Sequence, residues 1–264
     1  MRFGTQDKDF FPVDFVEKFK QVKELGFDTF EIDGKALVEH LDQVKLAIET
    51  TGVQVLTACG GYRGWIGDFI EEKRLNGVED LKAIIRALKE VGGKGVVVPA
   101  AWGMFTFRLP PMVSPRSKEG DTKAILQSLA ALDPVAAENG IQIYLEPLNR
   151  YQDHMMNTIQ DARDIIEAGK FTNVKIIGDF YHMNIEEDDI SASFRKHRDL
   201  IQHVHIADNH RYQPGSGSID FKHHFETLRS LDYDGVIVYE CRVRGDNHLE
   251  EYAKSIARMK QLYL

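Results

Sequence analysis

A chain of 264 residues, with 43% hydrophobic and 28% charged residues, has the composition of a folded globular protein with a substantial core. The net charge of -8 argues against a nucleic-acid partner, because phosphate binding needs a basic surface. No apolar stretch is long enough to cross a bilayer, and the N-terminal MRFGTQDKDF lacks a signal-peptide core, so we expect a cytoplasmic protein.

Short β-branched runs alternate along the chain with segments of helical period. The runs predict strands at 2–5, 28–32, 53–58, 94–100, 141–146, 174–180, 201–208 and 235–240. Amphipathic patterns at 13–25, 77–91 and 123–139 predict helices between them, and Thr158 is suited to be the N-cap of another. The proline-bearing connection 102–121 is typical of a lid or binding loop.

This alternation indicates the fold. Strands separated by helices predict a parallel sheet covered by helices. Eight such units in 264 residues favour closure into a barrel, and no GxGxxG follows the first strand to indicate a dinucleotide-binding sheet. We therefore predict an α/β fold with one domain over residues 1–264, a single (β/α)8 TIM barrel whose active site lies at the C-terminal ends of the strands.

Potential metal ligands end four consecutive predicted strands. The residues are Glu146, Asp179, His205 and Glu240. Glu146 precedes Pro147, which confines it to an extended conformation at the end of its strand. Three carboxylates and one imidazole suit a divalent cation such as Mn²⁺, Mg²⁺, Co²⁺ or Fe²⁺. Any one of these residues alone is also compatible with a surface acid or a core histidine, but all four together favour a metal site.

Four segments resemble those of the xylose-isomerase-like barrels, in particular the branch of ketose 3-epimerases (D-tagatose 3-epimerase-like) and related sugar isomerases. They are EPLNRY (146–151), GDFYHMN (178–184), HVHIADNHRYQPGSGSIDF (203–221) and YECR (239–242). The order and separation of the four candidate ligands are similar to the metal site of that branch. The resemblance extends over essentially the whole chain, from GFDTFEID in the second unit to the last strand.

The resemblance implies a metal-dependent sugar isomerase or epimerase that binds one divalent ion, with Mn²⁺ as the first expectation. It implies that the reaction is C3 epimerisation of a non-phosphorylated ketose through an enediolate. It also implies that Glu146 and Glu240 act as catalytic acid and base as well as ligands, and that His182 and Arg211 contact substrate oxygens. The residue types agree with this chemistry, since a cation polarises a carbonyl and two carboxylates on opposite faces can exchange a proton.

One position departs from the family pattern. Ketose 3-epimerases usually have a glutamate where this chain has Gln152, and an amide forms hydrogen bonds but does not transfer a proton as a carboxylate does. We expect Gln152 to bind substrate, and the identity of the sugar stays open. Trp102, with Tyr62, Trp65 and Phe105, is expected to pack against a sugar at the barrel mouth.

Two residues near the seventh strand have alternative roles. Asp208 is predicted either to orient His205 or Arg211, as metal-bound histidines commonly need a carboxylate behind them, or to structure the following turn. His203 is either a supporting partner of the metal site or a buried, hydrogen-bonded histidine.

Other activities occur on similar barrels. Aldose-ketose, hydroxypyruvate or inosose isomerisation are the nearest alternatives. An apurinic-site endonuclease is disfavoured because it needs a metal cluster with histidines on earlier strands, and strands three and four end in TACGGYRG and VPAAWG. A non-catalytic sugar-binding barrel is disfavoured because both glutamates are present. The expected partner is a small sugar, with no nucleic acid and no membrane, and the resemblance implies a homo-oligomer, either a dimer or a tetramer.

Overall fold

The computed structural model describes residues 2–107 and 112–264. Its strands are β1 (Arg2–Thr5), β2 (Thr29–Phe30), β3 (Thr57–Cys59), β4 (Gly95–Pro99), β5 (Gln142–Glu146), β6 (Val174–Asp179), β7 (Ile201–Ile206) and β8 (Val236–Tyr239). All pair in parallel in the order β2-β1-β8-β7-β6-β5-β4-β3. Single bridges, Thr29 with Gln54 and Ile32 with Ala58, join the two ends of the sheet. The predicted (β/α)8 barrel is confirmed.

Helices separate the strands along the chain. They are α1 (Phe15–Glu24), α2 (Gly34–Glu39), α3 (Leu41–Thr51), α4 (Glu71–Glu90), α5 (Lys118–Asn139), α6 (Ile159–Gly169), α7 (Phe180–Glu186), α8 (Ile190–His197), α9 (Phe221–Ser230) and α10 (His248–Tyr263). Thr158 caps α6 as predicted and forms a capping box with Asp161. Within the described ranges, no helix is long and apolar enough to span a bilayer.

The alternation of side chains along the strands decides which residues face the barrel interior. Val96 and Val98 belong to the large core between the sheet and its helices, whereas Val97, Tyr144 and Ile177 form a separate buried cluster. Side chains of a strand change face at every residue. The residues two positions after Tyr144 and Ile177, at the ends of their strands, therefore point into the barrel mouth. Those positions are Glu146 and Asp179.

The predicted loop 102–121 is shorter in the structure. Helix α5 begins at Lys118, because the Ser117 side chain accepts a hydrogen bond from the Gly120 N–H and caps the helix. Part of the predicted loop, residues 108–111, lies outside the described residues. The predicted strands 28–32 and 53–58 are also shorter, since only isolated bridges join their neighbouring segments.

Candidate metal centre

The four predicted metal ligands lie together at the C-terminal ends of β5 to β8. One donor atom from each of Glu146, Asp179, His205 and Glu240 lies within 4.8 Å of the others. The His205 Nδ1 atom is 2.8 Å from Glu240 Oε2 and 3.3 Å from Glu146 Oε1. Asp179 is directly opposite His205 in the β6–β7 pair, after a register shift at Ile176/Ile177. Three strand ends and the residue after β8 thus present three carboxylates and an imidazole to one point.

A fifth carboxylate, Glu31, holds the imidazole from behind. Its Oε1 atom accepts hydrogen bonds from His205 Nε2 at 2.8 Å and Gln6 Nε2 at 2.9 Å. Its Oε2 atom accepts from His203 Nε2 at 2.9 Å and Thr57 Oγ1 at 2.6 Å. Glu31 is 2% exposed. Because His205 Nε2–H is engaged by Glu31, Nδ1 is the nitrogen that faces the other three ligands.

The donor set fits a divalent cation. Glu146 is 4% exposed, and among the described residues its Oε1 atom has no hydrogen-bond partner. Burial, together with the negative charge of Glu240, raises the pKa of Glu146 to about 7. A cation bound between the carboxylates would satisfy the buried oxygen and offset this repulsion. Three oxygen donors and one nitrogen donor suit Mn²⁺, Mg²⁺, Co²⁺ or Fe²⁺.

Arg211 neutralises part of the acidic cluster. Its Nη1 atom donates to Asp179 Oδ2 at 2.6 Å, and its Nη2 atom pairs with Glu240 Oε2. Burial opposes ionisation of Glu240, but the charges of Arg211 and His205 outweigh it and lower the pKa of Glu240 below its ordinary value. Arg211 has φ +63°, an uncommon backbone conformation for a residue other than glycine, in the turn that carries its guanidinium to the site.

His182 has a fixed tautomer. Its Nδ1 atom accepts hydrogen bonds from the Asn149 backbone N–H at 3.0 Å and lies 2.8 Å from Asn149 Nδ2. The proton of the neutral ring is therefore on Nε2, which is 3.6 Å from Asp179 Oδ2. Burial lowers the pKa of His182 to about 4, so the ring is neutral at physiological pH. This imidazole offers an N–H donor beside the cluster.

The two other predicted substrate contacts lie on neighbouring loops at the barrel mouth. Gln152 is half-buried after β5, and its backbone carbonyl accepts a hydrogen bond from the Gly103 N–H at 2.9 Å. Trp102 is 56% exposed, and its ring lies 6.5 Å from that of Trp65. The structure therefore places both residues beside one another at the rim, further out than the four ligands.

Asp208 structures the turn after β7, which was one of its two predicted roles. Its carboxylate accepts hydrogen bonds from the backbone N–H groups of Gly215, Gly217 and Ile219 at 2.7 to 3.1 Å. The glycine-rich segment 213–218 thus folds around a carboxylate of its own chain. Glu31 and not Asp208 is the acid that hydrogen-bonds to His205.

Glu31 is the site residue that our sequence reasoning missed. The signal was present, since the predicted second strand contains an acid near its end in GFDTFEID, as strands five, six and eight do. The predicted ligands all lie at the ends of the last four strands. His203, predicted as either a supporting partner or a core histidine, is both: it is 1% exposed and donates to Glu31.

Comparison with known proteins identifies the family and the enzyme class of the relatives. The family model described as xylose isomerase-like TIM barrel matches residues 19–262. A 3-dehydro-D-guloside 4-epimerase from Escherichia coli is 59% identical over 98% of this chain and 99% of the relative. The crystal structure of a 3-keto-D-glucoside 4-epimerase from E. coli superposes with a TM-score of 0.97 over 99% of both chains, at 59% identity.

A more distant relative belongs to the predicted branch. A D-psicose 3-epimerase from Enterocloster bolteae is 30% identical over 90% of this chain and 80% of the relative. These relatives confirm the predicted enzyme class, a sugar epimerase among the isomerases. The chain belongs to the xylose isomerase-like TIM barrel family.

Proposed function

We propose that this protein is a metal-dependent epimerase that inverts the carbon next to the keto group of a sugar, and that its substrate is a 3-keto-glycoside inverted at C4. The observation that carries the chemistry is the convergence of Glu146, Asp179, His205 and Glu240 within 4.8 Å. The 59% identity to a 3-dehydro-D-guloside 4-epimerase over nearly all of both chains supports the choice of carbon.

Two carboxylates are available to move the proton. We assign the catalytic roles to Glu146 and Glu240, which extend from β5 and β8, strands that are separated in the sheet by β6 and β7. They therefore approach a substrate from different sides. Each carboxylate can accept a proton from carbon and, once protonated, donate a proton to carbon, as general acid–base catalysis requires. One removes the proton next to the carbonyl and the other returns a proton to the opposite face.

The four ligands would hold one divalent ion, with Mn²⁺ as our first expectation and Co²⁺, Mg²⁺ or Fe²⁺ as alternatives. When bound, such an ion polarises the carbonyl and stabilises negative charge on its oxygen. The Nε2–H of His182 and the guanidinium of Arg211 are positioned to hydrogen-bond the same developing charge. Gln152 would hydrogen-bond a hydroxyl that takes no part in proton transfer.

The predicted C3 epimerisation of a free ketose is the second candidate, and the 30% identity to a D-psicose 3-epimerase favours it. Both reactions remove a proton from the carbon beside a ketone, which is C3 in a 2-ketose and C4 in a 3-keto-glycoside. An apurinic-site endonuclease finds less support, because neither candidate metal group in residues 2–107 and 112–264 contains a residue of β3 or β4.

Deuterium exchange tests the proposal directly. Methyl 3-keto-D-glucoside and D-psicose are each incubated in D₂O with the Mn²⁺-loaded protein and followed by NMR. We expect deuterium at C4 of the glycoside, loss of exchange after chelation, and recovery with Mn²⁺ or Co²⁺. Exchange at C3 of psicose alone would favour the second candidate. If neither sugar exchanges although it binds, the protein is a sugar-binding barrel and the proposal fails.

Three expectations remain predictions. The dimer or tetramer rests on the family resemblance and the absence of nucleic-acid binding on the acidic net charge of -8, and the cytoplasmic location also stays a prediction. Light scattering of the purified protein measures the first.

A further inference from the structure

Three aromatic rings form a continuous row at the barrel mouth, which we name the aromatic shelf: Tyr62, Trp65 and Trp102. The centroids of Tyr62 and Trp65 are 5.4 Å apart at an interplanar angle of 89°, and those of Trp65 and Trp102 are 6.5 Å apart at 52°. Both spacings are typical of aromatic rings in contact. Trp65 thus links Tyr62 to Trp102 in one chain of ring contacts.

The inner end of the shelf is next to the proposed catalytic carboxylates. The Tyr62 hydroxyl donates to the carbonyl of Val97 at 3.4 Å, on the strand whose last residue, Pro99, pairs with Glu146. Burial raises the pKa of Tyr62, and the negative charges of Glu146 and Glu240 are among the further causes, which agrees with this proximity. The shelf therefore begins where the reacting carbon would lie.

The outer end of the shelf opens to solvent. Tyr62 and Trp65 are half-buried, whereas Trp102 is 56% exposed. The Gly103 N–H donates to the Gln152 carbonyl at 2.9 Å, which fixes the Trp102 turn against the loop after β5. A large apolar ring held in this way at the rim of a site, and not in a core, is suited to contact a ligand.

We propose that the aromatic shelf binds the aglycone of a glycoside substrate, so that the reacting sugar lies at Tyr62 and the group on its anomeric oxygen packs against Trp65 and Trp102. This inference rests on the proposed function. A free ketose has no second group to place beyond the reacting ring. A glycoside does, and an aromatic or sugar aglycone offers an apolar face that stacks on an indole ring. The shelf thus selects glycosides with a ring-shaped aglycone.

The composition of the chain provides a specific probe. It contains two tryptophans, Trp65 and Trp102, and both are on the shelf. Tryptophan fluorescence therefore reports on the shelf alone. We expect phenyl 3-keto-D-glucoside to change this fluorescence in the Mn²⁺-loaded protein at lower concentration than methyl 3-keto-D-glucoside does. This titration needs no turnover, so it succeeds or fails independently of the C4 exchange that tests the proposed function.

The kinetic test compares the same two glycosides in two variants. Trp102→Ala is expected to reduce the preference for phenyl over methyl glycoside, as a ratio of kcat/KM, on the order of tenfold. Phe107→Ala is the control, since Phe107 is also exposed, at 63%, but contacts Phe105 and His154 and is not part of the shelf. Its preference ratio is expected to match that of the wild type.

Three results would overturn the proposal. The first is equal fluorescence responses to the two glycosides. The second is an unchanged preference ratio in Trp102→Ala, or an equal loss in both variants. The third is a change in the solution mass of Trp102→Ala, measured by light scattering, which would assign the shelf to contact between copies of the chain. If the phenyl glycoside binds selectively but neither glycoside exchanges at C4, the shelf stands and the proposed reaction does not.

Discussion

Replacing Glu31 by glutamine tests whether this carboxylate sets the affinity of the metal centre. The side chain accepts four hydrogen bonds, two on each oxygen, and glutamine has nearly the same shape with one acceptor oxygen. The carbonyl oxygen of glutamine can continue to accept from His205 Nε2. The variant therefore removes the negative charge behind the imidazole without opening a cavity.

The hydrogen bonds determine the expected magnitude. A hydrogen bond to a charged group contributes about 1.5 to 3 kcal/mol and a neutral one about 0.5 to 1.5 kcal/mol. Losing the charge on the 2.8 Å bond to His205 then costs ~1 to 1.5 kcal/mol. This corresponds to roughly tenfold weaker metal binding, the lower end of the range for supporting carboxylates.

Calorimetric titration of the metal-free protein with Mn²⁺ measures this effect. Glu31 also stabilises the protonated imidazole, which competes with the metal, so the titration is done at about pH 8, where the proton competes less. Asp153→Asn serves as the control because it also removes a buried carboxylate charge, and Asp153 is not among the four ligands. Its Kd for Mn²⁺ is expected to match the wild type.

Glu31 does not set the affinity of the metal centre if Glu31→Gln binds Mn²⁺ as tightly as the wild type while its thermal unfolding is unchanged. In that case the position of His205 is set by β7 alone. A tenfold loss of Mn²⁺ affinity in both Glu31→Gln and Asp153→Asn would also refute a specific role of Glu31, because any buried negative charge would then have the same effect.

Three other predictions concern residues around the site. Burial raises the pKa of Asp153 to about 7, above its unfolded value, so the protonated side chain stabilises the folded protein at low pH. The free energy of unfolding therefore falls by ~2 to 3 kcal/mol as the pH rises from about 5 to 8. Urea unfolding should show that the free energy of unfolding of Asp153→Asn rises relative to that of the wild type over this pH range; a constant difference between the two would contradict this. Asn149→Asp places a carboxylate at the Nδ1 atom of His182 and should raise the pKa of His182 from about 4, measured by ¹⁵N NMR; an unmoved value would argue against the 2.8 Å contact between the two side chains. Gly217→Ala brings a methyl group to 2.4 Å from Asp208 and should lower the unfolding free energy by about 1 to 3 kcal/mol; a Tm equal to the wild type would argue against the tight turn.

The positions of the four candidate ligands were predictable because strands impose local rules. Period-two alternation places Val236, Val238 and Glu240 on one face, and Pro147 keeps Glu146 extended. Neither rule depends on contacts with distant parts of the chain. The eight strand and helix units were readable for the same reason, since each is defined by the periodicity of its own residues.

Contacts between distant segments could not be read in this way. Asp208 is three residues from His205 in the sequence, yet its carboxylate is occupied by the turn at Gly215 and Gly217. Glu31 lies 174 residues before His205 and forms the hydrogen bond that orients it. Sequence separation carries no information about which of two acids reaches an imidazole across a barrel.

The sequence by itself therefore determined the barrel and the four side chains at its mouth, because local periodicity fixes which side chains point inward, and the class of chemistry followed from the family resemblance of its motifs. The tertiary structure alone decided which residues support those ligands and where the aromatic shelf runs. Glu31 meets His205 only because β2 and β7 belong to one closed sheet, and Trp102 meets Trp65 only because the loops after β3 and β4 fold over the same rim.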